Sequence, residues 1–132
     1  VRRVIFMKII MLISLAGFAG TLARYSMVKG MSALFPNFPW GTLLVNVIGA
    51  FLVGFCFIMC KSKFSAYEAY FPVLFFGFLG AFTTFSIFAL ESSRFLLDAQ
   101  YSKFSLNVLL QNTLGIGAAI GGFLLAKTIF PT

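Results

Sequence analysis

Residues 80–91 read Gly-Ala-Phe-Thr-Thr-Phe-Ser-Ile-Phe-Ala-Leu-Glu, inside a stretch apolar enough to cross a bilayer. Thr83, Thr84 and Ser86 put three hydroxyls at membrane depth, and Gly80 loosens the backbone just before them. Phe82, Phe85 and Phe88 recur every third residue, which predicts rings stacked along one helical face. In hydrocarbon, a polar or irregular segment is tolerated only where it is buried in protein or lines a cavity. The segment therefore predicts a pathway or a binding site. Other polar groups join it from the neighbouring stretches. Asn46 lies deep in one apolar run with Thr42 a turn earlier, and Gln111, Asn112 and Thr113 lie in another with Asn107 a turn before Gln111. Each of these has a plainer reading as a helix–helix hydrogen bond. Taken together they supply amide and hydroxyl donors beside aromatic rings whose edges are positive. That set suits a small anion held without a fixed cation. A cation channel would use an acidic ring or a carbonyl filter instead.

Other chemistries lack their parts. The chain has no His, which removes the commonest general base and metal ligand. Glu68, Glu91 and Asp98 are its only carboxylates, and they are not paired on one helix. Cys56 and Cys60, one turn apart in an apolar run, read as small hydrophobes and do not complete a zinc site. There is no Gly-x-x-x-x-Gly-Lys-Ser/Thr sequence for ATP. Hydrolysis and metal-assisted catalysis are excluded, and an enzyme is the least favoured class. The net charge of +7 comes from ten Lys and Arg against three Asp and Glu. These bases lie mostly at the ends of apolar runs, where they face phosphate headgroups rather than nucleic acid.

Mean hydropathy is +1.02, and 61% of the 132 residues are hydrophobic. Four spans account for nearly all of them: residues 4–28, 40–60, 69–95 and 104–130, each long enough for a hydrocarbon core of roughly 30 Å. Residues 29–39, with Gly30, Pro36, Asn37 and Pro39, predict a loop. Residues 61–68 and 98–103 predict short connections, and Pro131 closes the chain. The basic, apolar start resembles a signal peptide but runs on too long and lacks a small-x-small cleavage site, so it predicts a retained first helix. The expected class is an all-α membrane protein, with residues 1–132 forming a single four-span membrane domain. With four spans, Arg2, Arg3, Lys8, Lys61, Lys63 and Lys127 share one side, against Arg24, Lys29, Arg94 and Lys103 on the other. The excess leans toward an internal N-terminus, weakly enough to allow insertion both ways. Gly17 with Gly20, Gly49 with Gly54, and Gly117 with Gly121 predict close helix contacts. Four short helices enclose little interior, so a polar pathway calls for a dimer.

Three motifs carry a family resemblance. Gly20-Thr21-Leu22-Ala23-Arg24-Tyr25, Gly41-Thr42-Leu43-Leu44-Val45-Asn46 and the run from Gly77 to Glu91 closely resemble the Fluc/CrcB fluoride channels. The likeness covers the whole chain in length, span order and motif position. It implies four-helix subunits paired as an antiparallel homodimer with two fluoride pores, the third helix broken mid-membrane. It further implies a structural sodium ion at the dyad, held by backbone carbonyls of Gly80 and Thr83. Asn46 would be the pore asparagine, and Phe85 and Phe88 would turn ring edges to fluoride. Thr42, Thr84, Ser86 and Glu91 match polar pore positions, and Asn112 falls where the family often has a fourth-helix Ser. Arg24 could set positive potential at an anion vestibule. Ile87 and Ala89 depart from the family's Thr and Ser, and Ala81 replaces a common second Gly.

The expected function is passive, fluoride-selective export from the cytoplasm across the inner or plasma membrane. Partners would be fluoride, sodium, the lipid bilayer and a second subunit: the antiparallel homodimer, or a paralogue of opposite orientation. Two rivals remain open at this point. A proton-coupled exporter needs a carboxylate in a substrate-facing span, and the first two spans have none. A noncatalytic assembly subunit would use the polar residues only as helix contacts.

Overall fold

The computed structural model describes residues 2–130. Val1, Pro131 and Thr132, and with them the closing role expected of Pro131, lie outside the described residues. Helix α1 spans Arg2–Leu34, α2 spans Trp40–Lys63, and a 3-10 stretch covers Ser65–Tyr70. A π-helical stretch, Val73–Leu79, runs into the short α3, Gly80–Phe82. Helix α4 spans Phe85–Leu97 and α5 spans Tyr101–Ile129. Among the described residues, four helical stretches are long and apolar enough to cross a membrane: Arg3–Leu34, Trp40–Lys63, Val73–Leu97 and Tyr101–Ile129. The protein is all-helical, as composition predicted.

The first connection departs most clearly from the sequence reading. Helix α1 continues through Gly30 to Leu34, where residues 29–39 predict a loop. A lone Gly costs a helix only about 1 kcal/mol. The chain turns instead at Phe35, whose N–H still reaches Met31 O at 2.8 Å. The cause is Pro36, which disfavours helical backbone in the residue before it. The third span breaks within the stretch that the sequence marked, just after Gly80, whose φ of −65° and ψ of −35° are still helical. The break lies at Thr83 (φ −88°, ψ 159°) and Thr84 (φ −153°, ψ 113°), both extended. Thr84 is then the N-cap of α4, its side chain accepting from Ile87 N at 3.3 Å.

Packing is widest between α2 and α5, which run the same way across the membrane. Their backbones meet at two glycines. A Cβ on Gly54 would collide with the Ala119 carbonyl, and one on Gly122 with the Phe51 carbonyl. A third close approach seats the break itself, since a Cβ on Gly49 would strike Thr83 Cγ2. Gly117 and Gly121, expected as a packing pair, face open space within the subunit. Between α4 and α5, Ala99 turns the chain with φ of 55°, a left-handed conformation that an L side chain resists.

Gly54→Ala and Gly122→Ala are each expected to cost about 1–3 kcal/mol by forcing two backbones apart, whereas Gly30→Ala, with nothing within 4 Å of its Cβ, should not destabilise. Ala99→Gly should stabilise by about 0.5–1 kcal/mol. Unfolding midpoints in detergent check all four.

Candidate functional site

The break at Thr83–Thr84 frees backbone groups that a continuous helix would pair. In dry surroundings each must find a partner. Asn46 supplies two. Its Oδ1 accepts from Thr84 N at 2.8 Å, and its Nδ2 donates to Thr84 O at 3.0 Å. The same Nδ2 donates to Gln111 Oε1 at 3.0 Å, tying α2, the break and α5 together. Thr83 closes the preceding turn, with its N–H and Oγ1 both directed to Leu79 O, at 3.0 and 3.1 Å. Its carbonyl accepts from Arg24 Nη1 at 3.4 Å. Arg24 thus reaches the helix break from α1 and does not line the cavity described next.

A second polar level lies one turn earlier along α2. Thr42 is 1% exposed and donates from Oγ1 to Glu91 Oε1 at 2.6 Å. Thr42 and Glu91 form part of the wall of a cavity of about 450 Å³ between the α1–α2 loop and the α4–α5 turn. Arg94, Asp98, Gln100 and Lys103 line the same cavity. Phe38 stacks on Phe95 with centroids 6.1 Å apart, and Lys103 Nζ lies 5.7 Å from the Phe95 centroid. These contacts fix the loop over α4. The cavity carries two cations and two carboxylates, with amide groups from Asn37 and Gln100.

A further cavity, of about 400 Å³, opens beyond Asn46 and is lined by Thr83, Thr84, Phe85, Phe88, Gln111 and Asn112, among others. Phe85 and Phe88 meet edge to face, with centroids 5.5 Å apart and planes at 65°. Phe85 is 77% exposed. The three-ring face predicted from spacing does not form. Phe82 is buried and stacks on Phe78 at 5.9 Å, because two extended residues separate it from the helix that carries Phe85 and Phe88.

The structure thus gathers Thr42 and Glu91 at one level, and Asn46, Thr84, Phe85 and Phe88 at the next. Ser86 Oγ lies 3.3 Å from Thr84 Oγ1. Asn112 lines the second cavity, but its Nδ2 is returned to Val108 O of its own helix at 2.7 Å. The inward group on α5 is its neighbour Gln111, 8% exposed, with Nε2 left without a partner. Asn107, fully buried, donates to Ser92 Oγ at 3.0 Å and leaves Oδ1 free, while Glu91 Oε2 is likewise unpartnered. The sequence places Gln111 in the polar cluster of the fourth span, with Asn107 on the same helix face, but assigns the pore position to Asn112; Ser92 carries no sequence signal. Among the described residues these three buried polar atoms, one donor and two acceptors, lack a partner, and water would satisfy them.

Known proteins resemble this chain over most of its length. The family model described as CrcB-like protein, Camphor Resistance (CrcB), matches residues 11–123. A protein of Desulforapulum autotrophicum named fluoride-specific ion channel FluC is 41% identical over 120 residues, 89% of this chain and 94% of the relative. A Legionella pneumophila (strain Lens) protein of the same name is 40% identical over 118 residues, 89% of this chain and 88% of the relative. One from Vibrio vulnificus is 38% identical over 117 residues, 88% and 93% of the two chains.

Asn46→Ala removes three hydrogen bonds across the break. At roughly 0.6 kcal/mol for an average bond between membrane helices, about 2 kcal/mol of stability should be lost. Asn112→Ala, whose bond is local to α5, should cost less than a quarter of that. Paired unfolding measurements on the two variants test the ordering.

Proposed function

The chain belongs to the CrcB family, and we propose from that membership and the site geometry that it is a fluoride-selective channel. Fluoride enters cells as neutral HF at low external pH and dissociates inside. A passive pore lets the anion leave, because a negative interior drives anions outward. The observation that carries this reading is the polar column beside the Phe85–Phe88 edge pair. It offers the hydroxyls of Thr42, Thr84 and Ser86 and the unpartnered Nε2 of Gln111, held in place by Asn46, and among the described residues no Lys or Arg lines the cavity beside the rings. At the mouth, Arg94 and Lys103 are balanced by Glu91 and Asp98, so the entry cavity carries no net formal charge. Thr42 has one O–H, committed to Glu91, so an anion at that level competes for that proton.

A pair of subunits completes the pore in this reading. In a lone subunit, the cavity lined by Asn46, Thr84, Gln111 and Asn112 would open toward hydrocarbon, which polar groups do not tolerate. The exposed Phe85 and the open glycine face of Gly117 and Gly121 give a second copy somewhere to seat. The weak six-to-four charge asymmetry favours an antiparallel homodimer in the cell membrane, with an oppositely oriented paralogue as the other arrangement. A sodium ion between the subunits fits the break. Thr84 N–H, which a continuous helix would direct to the Gly80 carbonyl, goes to Asn46 instead, leaving that carbonyl without its helical donor. The Thr83 carbonyl has two lone pairs, and the Arg24 contact engages one. A bound sodium would supply fixed positive charge between the two pores, with Gly80 and Thr83 as its main-chain ligands.

Liposomes reconstituted with this chain alone should release fluoride without a proton gradient and pass little chloride. Comparable chloride flux, or flux only with a proton gradient, would reject a selective passive channel. Phe85→Ile and Phe88→Ile keep apolar bulk but remove the ring edge. Fluoride efflux should fall at least tenfold in each while the protein still elutes as a dimer. C-terminal tags should be reachable from both sides of the membrane if one gene product supplies both orientations.

A further inference from the structure

At the end of the bundle opposite the vestibule, α2 and α5 finish with the same unit, Phe-x-x-x-Lys. Lys61 Nζ stands 4.5 Å from the Phe57 centroid, and Lys127 Nζ stands 4.9 Å from the Phe123 centroid. The two rings stack on each other, 6.2 Å apart and 22° from parallel. Because α2 and α5 run the same way and touch at Gly54 and Gly122, the two units are held side by side at one membrane level. Each ammonium uses a ring face for one side of its charge and keeps its N–H donors for something else. Lys61 also lines a cavity of about 800 Å³ whose wall includes Phe57, Phe71, Phe75 and Phe76. Among the described residues Glu68 is the one carboxylate on that wall, and Lys63 lies with Lys61 in the last turn of α2.

We propose that this end of α2 and α5 is a binding site for an anionic diacyl phospholipid. Its phosphodiester lies between Lys61 and Lys127, and one acyl chain lies in the aromatic cavity. The charge pairing selects an anionic headgroup over a zwitterionic one, whose own ammonium would meet two others. The apolar wall selects a lipid over a free phosphate. The site uses no residue of the fluoride column, so it stands or falls independently of the channel reading.

The test is native mass spectrometry of the delipidated full-length chain, titrated with dioleoyl phosphatidylglycerol or dioleoyl phosphatidylcholine. Each ammonium near an anionic headgroup contributes about fivefold, so the first phosphatidylglycerol should bind about 25-fold more tightly than phosphatidylcholine. Lys61→Gln with Lys127→Gln should bring the two lipids near parity. Lys61→Arg with Lys127→Arg should keep the preference, and so should Lys29→Gln, on the opposite side of the membrane. Equal binding of both lipids to the unaltered chain would overturn the proposal, and so would a preference that survives the double Gln variant. Displacement of the lipid by equimolar glycerophosphoglycerol or inorganic phosphate would also overturn it, by showing that the aromatic cavity contributes nothing.

Discussion

A break in a membrane helix is stable only if something replaces the hydrogen bonds that the helix gives up, and here that replacement is one carboxamide. Asn46 takes both the N–H and the carbonyl of Thr84, then passes its remaining amide proton to Gln111. Everything functional hangs on this clamp. The extended Thr83 and Thr84 rotate the second half of the span, which turns Phe85 and Phe88 toward the polar cavity while Phe82 remains in the core. A continuous helix would carry the three rings on one face and expose no backbone.

The clamp needs the helices closer than ordinary side chains permit. Gly49 lets Thr83 sit against α2, and Gly54 and Gly122 bring α2 onto α5 so that Asn46 and Gln111 come within hydrogen-bond distance. In lipid there is no hydrophobic drive between helices, so this proximity rests on packing and polar bonds together. The polar column is incompletely satisfied. Glu91, Asn107 and Gln111 each keep one buried atom without a partner, in the same region that carries the cavities. Of these atoms only Gln111 Nε2 is a donor that an anion could use, whereas Glu91 Oε2 and Asn107 Oδ1 are acceptors suited to water.

Much was determined by the sequence alone. Four apolar runs with bases at their ends point to four membrane helices, because a helix pairs nearly all of a run's backbone polar groups within the run itself. The hydroxyls and Phe residues between Gly80 and Glu91, with Asn46, marked the region that the structure brings together, and three motifs gave the family. What the chain order could not decide depends on contacts between spans. The break falls at Thr83 rather than at the more flexible Gly80, because the partner that rescues the freed backbone sits on α2 opposite Thr84. Gln111 rather than Asn112 turns inward, because a helix places neighbours about 100° apart and only packing against α2 chooses which one faces the core. Likewise, Gly54 and Gly122 touch a neighbour while Gly117 and Gly121 do not, a difference of rotation about the helix axis that glycine spacing leaves open.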